Sequence, residues 1–149
     1  MTENLTLFMA DKKVKTENEK VAISKNFLDE KGEPLKWEIR ALSSIEDAEI
    51  KKRCMVTRTS KRGSSTEVDS IMLMLHYAAA SVVFPDLSDV ALQDSYKVKT
   101  STELLKAMLL PGEISRLSEM AQKLSGYDET LDDMVDDAKN SLEAENGSQ

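Results

Sequence analysis

The chain has 149 residues, and several residue types that usually mark chemistry or export are scarce. It has one cysteine, Cys54, and one histidine, His76. A lone thiol excludes an internal disulfide and any multi-cysteine metal site, and it fits a reducing compartment. His76 has no Ser, Cys or carboxylate at triad-like or metal-like spacing, so it reads as a packed or surface side chain. No apolar run approaches the ~20 residues needed to span a bilayer. The patch from Leu5 to Ala10 is too short for a signal peptide and lacks its cationic flank, so the expectation is a protein that stays in the cytoplasm where it is made. None of the five glycines builds a Gly-rich phosphate loop.

What is present is charge, spread unevenly. Residues 1–63 hold 14 Lys/Arg against 11 Asp/Glu, whereas residues 64–149 hold 6 against 16. An acidic C-terminal half repels phosphate backbones, which argues against general nucleic-acid binding. A chain of this length suffices for one hydrophobic core, so the expected organisation is a flexible segment over 1–19, one domain over 20–144 and a disordered tail over 145–149.

The N-terminus offers a short helix through Leu5, Phe8 and Met9, followed by a charged connector from Asp11 to Lys20. Val21, Ile23 and Phe27, and then Leu35, Trp37, Ile39 and Ala41, alternate with polar residues, which is the period-two signature of strands with one wet face. Asp29 to Pro34, containing Gly32, supplies a turn, so residues 20–42 are expected to form a β-hairpin anchored by Trp37. An isolated hairpin is barely stable in water, so its apolar face must pack on helices or pair with another chain. Ser43 with Glu46 suits a helix start, and the helix is expected from Ile45 to about Arg58. Ser60 to Thr66 reads as a polar, disordered loop. From Asp69 a strongly apolar pattern begins: Ile71, Leu75, Ala78 and Val82 form one stripe with Met72, Ala79 and Val83 beside it. This predicts a central helix closed by Pro85. Leu87 to Ser95 is a short helix or turn.

Thr100 and Glu103 form a capping box that opens a helix near Ser101, with Leu104, Leu105, Met108 and Leu109 on one face. Pro111 and Gly112 interrupt it and restart the chain, because proline suits the first turn of a helix and not its interior. Ile114, Leu117, Ala121 and Leu124 form a second stripe, and Gly126 follows where a helix end favours a left-handed residue. Leu131, Met134, Val135, Ala138 and Leu142 mark a last helix. The fold class expected is α+β, mainly α: an N-terminal β-hairpin packed on a bundle of about five helices.

Several of these residues resemble the XkdN-like tail assembly chaperones of contractile-tailed phages and PBSX-type prophages. They are Pro85-Asp86-Leu87, Leu92 to Tyr96, Leu104-Leu105, and Leu109 to Ile114 with Leu117 and Gly126. Upstream, Gly32-Glu33-Pro34, Trp37, Ile39 to Leu42 and Glu46 are similar to the opening hairpin and first helix of that family. The resemblance spans roughly residues 20 to 126 and leaves out the basic stretch from Lys51 to Gly63 and the Asp-rich residues 128–145.

It implies a non-enzymatic protein of the host bacterial cytoplasm, absent from the mature virion, that binds the helical tape measure protein and keeps it soluble until tail tube subunits displace it. The tail tube protein itself is a further implied partner, and a longer frameshifted product continuing the C-terminal helix is implied as well. Unpaired hairpin edges make a homo-oligomer a further expectation. Apolar side chains of the C-terminal helices are the candidate contacts: Met108, Leu109, Ile114, Leu117, Met120, Leu131, Met134 and Val135. Methionine's flexible thioether suits both core filling and an adaptable groove for helices, so Met72, Met74, Met108, Met120 and Met134 admit either role.

Candidates for chemistry are few. Cys54 beside Lys52 and Arg53 has the cations that would activate a nucleophile but no base, so a structural thiol is the simpler reading. Asp132, Asp133, Asp136 and Asp137 pair at helical spacing, which can attract Mg²⁺ or Ca²⁺ and more ordinarily forms a solvated face. Lys51, Lys52, Arg53, Arg58, Lys61 and Arg62 could contact phosphates, which defines the alternative of a small DNA-binding regulator using residues 51–62. They lack interleaved aromatics, and the well-formed helices are apolar or acidic. No cofactor or metal is expected.

Overall fold

A computed structural model describes residues 4–127. Two short 3-10 turns, Leu5–Phe8 and Ala10–Lys12, stand where a short N-terminal helix was expected. The period-two segments pair as the alternation predicts. Strands β1 (Glu19–Ala22) and β2 (Lys36–Ile39) run antiparallel with Val21 opposite Trp37 and Glu19 opposite Ile39. Their loop is closed by a bridge between Leu28 and Pro34. Within it the Asp29 carboxylate accepts the N–H groups of Lys31 and Glu33 at 2.8 and 2.9 Å, and Gly32 supplies a φ of 81° that side chains disfavour.

Helix α1 (Ser44–Arg53) opens with the anticipated capping box between Ser43 and Glu46 and carries Lys51, Lys52 and Arg53 in its last turn, where they complement the helix dipole. It ends earlier than the expected Arg58. Cys54 caps it, and the chain turns into a two-stranded ribbon, β3 (Met55–Ser60) and β4 (Gly63–Val68), paired from Met55–Val68 out to Ser60–Gly63. The polar loop expected at 60–66 is therefore mostly strand, with Lys61 and Arg62 at the turn. β-Branched Val56, Thr57, Thr59, Thr66 and Val68 favour extended backbone. The alternation that normally reveals a strand is missing because nearly every residue of the ribbon is exposed and neither face packs on the core.

Helix α2 (Ser70–Ser81) is central, packing on α1, α4 (Ser101–Met108) and α5 (Pro111–Leu124). It too is shorter than its stripe implied. At Ser81 the backbone is captured by the free edge of β2: the Arg40 N–H donates to the Ser81 carbonyl at 2.8 Å, and Val82–Phe84 becomes strand β5, antiparallel to β2. Val82 and Val83 thus belong to a sheet of order β1-β2-β5 and not to the helix. Ile71, 74% exposed, lies outside the buried face, which is formed by Tyr77, Ala78 and Ser81. A short α3 (Val90–Ser95), capped by Asp89, follows.

The Pro111 corner and both flanking helices stand where the sequence puts them. Thr100 accepts from the Glu103 N–H, and Glu113 accepts the Leu110 N–H at 2.8 Å. Gly126, at φ 99°, lets the Gly126 and Tyr127 N–H groups reach the carbonyls of Lys123 and Gln122, the glycine-dependent helix ending.

The described residues form a mixed α and β fold with five α-helices and two small antiparallel sheets. Ile23, just after β1, and Trp37 and Ile39 of β2 share a core with Ala78, Leu104, Leu105, Leu109, Ile114 and Leu117. A second cluster joins Leu42, Ile50, Cys54, Tyr77 and Ala121. The expected last helix, its Asp cluster and the tail lie outside the described residues.

Candidate partner-binding surface

The apolar residues left in water set the candidate site. At the end of the three-stranded sheet marked by the start of β2 and the end of β5, a cleft of about 310 Å³ opens between the sheet and the α3–α4 region. Phe27 and Leu35 from the β1–β2 loop, Trp37 from β2, Phe84 of β5 with Pro85 after it, Leu92 of α3 with Tyr96 at its end, and Met108 from α4 line it, and Lys36 is its only charged wall among the described residues. Trp37 is buried and holds Phe27 edge-on at a centroid distance of 6.4 Å, an aromatic arrangement that fixes the floor. Phe84 is 66% exposed and Leu35 44%, so the rim is apolar as well as the interior. Because β5 is an edge strand, the outer side of Val82–Phe84 has no strand partner among the described residues. Such a cleft can take an apolar side chain beside an amphipathic backbone, and nothing in its lining calls for acid–base chemistry.

The structure divides the sequence's candidate contacts. Met108 is half-buried and lines the cleft. Leu109, Ile114 and Leu117 are buried, at 5%, 7% and 0% exposure, and form the core between α4, α5 and the sheet. Their regular spacing marks the side the monomer itself consumes, so these three are corrected to core residues. Met120 is half-buried against the same core. Leu131, Met134 and Val135 lie outside the described residues. Sequence reasoning missed Phe84, Leu35 and Phe27 as site residues. The available signal was a phenylalanine, one of three in the chain, placed directly before a proline.

Polar groups concentrate on the opposite end of the sheet and do structural work. Arg40 and Glu46 form a bidentate pair at 3.0 and 2.6 Å that ties the end of β2 to the start of α1. The Arg40 hydrogen bonds, opposed by some desolvation, hold the Glu46 carboxyl down at about 2, and the same pairing raises Arg40. On α1, Lys51 reaches Asp47 at 2.9 Å and the Tyr127 hydroxyl at 3.1 Å, while that hydroxyl donates to Asp47 at 3.0 Å. Burial works against the Asp47 charge, yet the Lys51 and Tyr127 bonds outweigh it and lower its titration, and Asp47 with Tyr127 raises Lys51. This triangle fixes where the chain leaves α5. The Tyr77 hydroxyl, buried nearby without a partner in hydrogen-bonding geometry among the described residues, feels Ser125 and Asp47, and its burial pushes its titration up.

The basic residues do not form one face. Lys51 is engaged with Asp47, Arg58 pairs with Glu67 at 2.8 Å, and Lys61 and Arg62 sit at the far turn of the ribbon. Cys54 is fully buried, and that burial, helped by Asp69, raises its thiol titration, the reverse of an activated nucleophile. His76 is half-buried on α2, and no three His, Cys, Asp or Glu side chains converge among the described residues.

Comparison with known proteins agrees with the architecture. The chain is 29% identical over 139 residues to the phage-like element PBSX protein XkdN of Bacillus subtilis, covering 92% of this chain and 94% of that one. It is 28% identical to the B. subtilis protein YqbN, covering 92% and 93% of the two chains. The crystal structure of YqbN superposes with a TM-score of 0.69 at 22% identity, covering 85% of this chain and 99% of the other, so the fold is shared. The family model of the phage XkdN-like tail assembly chaperone proteins matches residues 5–139, and the chain belongs to that family.

Proposed function

We propose that this tail assembly chaperone binds the helical tape measure protein of its phage or prophage, keeps it soluble in the host cytoplasm, and is displaced as the tail tube polymerises, so that none remains in the mature virion. It acts by binding and release, without a chemical step. The observation that carries this reading is the cleft beside β5, where Phe84 and Leu35 keep a large part of their apolar surface in water around an apolar hollow.

A long helical client presents apolar stripes at i, i+3 and i+4, and a cleft of this size accepts one or two such side chains in the helix-in-groove manner. Each fully buried Leu or Phe contributes about 1.5–3 kcal/mol. Association itself costs an estimated 4–15 kcal/mol, so one cleft binds weakly and solubility comes from many copies along the client. Weak individual contacts are also what allow tube subunits to take over.

The regulator alternative needs a basic recognition helix. Here the cations of residues 51–62 are split between the last turn of α1 and the ribbon.

Co-expression with the tape measure protein, followed by pull-down from the soluble fraction against a culture lacking this chain, tests the proposal. Co-purification with rescued solubility is expected, and the Phe84→Asp chain should lose both. No capture and no rescue by the unaltered chain overturns the reading, and a steep salt-dependent shift of duplex DNA would move it to the regulator.

A further inference from the structure

Besides single exposed residues such as Ile45, Ile71 and Val90, the N-terminal arm is a place where several large apolar side chains in sequence meet water. Leu5, Leu7, Phe8 and Met9 are 72%, 64%, 85% and 50% exposed, and they occur together in the 3-10 turns that precede the sheet. None of them belongs to either core cluster. The Asn4 side chain caps the first turn by accepting from the Thr6 N–H at 3.1 Å, so the arm has local structure but joins no core cluster among the described residues. Among the described residues the arm and the cleft are thus both apolar and open.

The strand register keeps them apart within one molecule. Ala22 and Lys36 pair at the cleft end of the sheet, and Glu19 and Ile39 pair at the other. From Asn18 backwards the connector follows that second end: Lys13, Lys15, Thr16 and Asn18 lie along Arg40, Ala41, Leu42 and Ser43. The arm thus leaves the domain at the end away from its own cleft, with its apolar residues directed outward.

We propose that the arm of one copy seats in the cleft of a second copy, with Phe8 and its neighbouring leucines covering Phe84, Leu35 and Met108, and that the exchange is reciprocal. Both surfaces belong to the same chain and are present in equal number. An aromatic side chain alone buries about 150 Å² or more, and reciprocal exchange doubles whatever area one arm and one cleft bury. The occupied cleft is the one assigned above to the client, so the inference rests on that reading to the extent that the arm shields the client site. Self-association without any client is its own criterion.

The test uses the full-length chain alone. Sedimentation at tens of micromolar should show a dimer, and Phe8→Ser or Phe84→Ser should each weaken self-association by about tenfold or more. Both positions are exposed, so unchanged thermal unfolding would verify that the fold is intact. A tagged Phe8→Cys chain mixed with an untagged Phe84→Cys chain, under a mild oxidant, should give a covalent product of mixed size, since Cys54 is buried. A monomeric unaltered chain, or cross-links confined to identical chains, overturns the proposal. Tape measure capture by the Phe8→Ser chain separates the two readings: capture where the unaltered chain is already monomeric removes the arm exchange alone, and no capture by a monomeric Phe8→Ser chain whose unaltered parent is a dimer removes the client reading alone.

Discussion

Replacing Glu46 should expose how the sheet is joined to the helices. Its carboxylate accepts two hydrogen bonds from Arg40 and one from the Ser43 N–H at 3.1 Å, so one side chain closes both the β2–α1 corner and the capping box. The pair is about a third exposed, with side-chain accessibilities of 37% and 36%, which limits its worth. Exposed pairs contribute roughly 0.2–1 kcal/mol, and bidentate geometry puts this one near the upper end. The backbone hydrogen bond adds about 0.5–1.5 kcal/mol. Glu46→Ala should therefore cost about 2 kcal/mol, and Glu46→Gln, which keeps an acceptor for Ser43 but loses the charge, about 1 kcal/mol. In a domain of this size the alanine variant should melt roughly 4–8 °C lower.

The pH dependence follows from linkage. In the fold the carboxyl titrates at about 2 instead of its ordinary 4.5, so the native state favours the ionised form. Its stabilisation is fully present above the unfolded value and is lost as pH falls through 4.5 towards 2. Solvent screening of a group this exposed reduces the effect to about 1 kcal/mol. Urea unfolding at pH 7, 4 and 2.5 measures it: the difference between the unaltered and Glu46→Gln chains should shrink as pH drops. A constant difference across that range, or none at pH 7, would refute the assigned role of the pair.

Two further substitutions separate core from surface. Leu117→Ala removes a fully buried side chain and should cost about 2–5 kcal/mol in denaturant unfolding, whereas Phe84→Asp should stay within about 0.5 kcal/mol of the unaltered chain while losing client capture. Equal destabilisation by both would place Phe84 in the core. The Cys54 thiol should resist maleimide labelling in the folded chain and react promptly in denaturant, because it is buried and its titration is raised; rapid labelling of the native chain would contradict the packing around α1 and α2.

Where a segment's period and its burial coincide, the sequence was legible. The hairpin with Trp37 at its centre, the helix starts at Ser43 and Thr100, and the Pro111 corner follow from alternation, capping and proline geometry, all local. The errors arise where tertiary contacts decide. Val82 and Val83 continue the apolar run of α2, and pairing with the edge of β2, from the Arg40 N–H on Ser81 to Glu38 opposite Phe84, makes them a strand. The ribbon of β3 and β4 has strand-forming residues but no buried face, so its period carries no hydrophobic signal. The cleft was hidden for a similar reason, since it gathers residues from five separate stretches between Phe27 and Met108 that no spacing rule links.

The division between the core and the proposed client surface has a physical logic that spacing alone obscures. An apolar stripe of regular helical period is complementary to the other stripes of its own chain, so in the monomer it is consumed: Leu104, Leu105, Leu109, Ile114 and Leu117 close on Trp37 and Ile39. A protein that must cover another protein's stripes needs apolar surface its own helices cannot reach. A short edge strand is such a place. β5 is held on one side by β2, is followed at once by Pro85, and is too brief for its three residues to be buried on both faces. Val83 and Phe84 remain 39% and 66% exposed, beside a cleft whose floor is fixed by Trp37. Rigidity of the floor lowers the ordering cost of each contact, while exposure of the rim leaves the gain small enough for release. Client binding is therefore expected to respond to changes at Phe84 and Leu35 and to be indifferent to conservative repacking of α4 and α5, the reverse of what the regular stripes suggest.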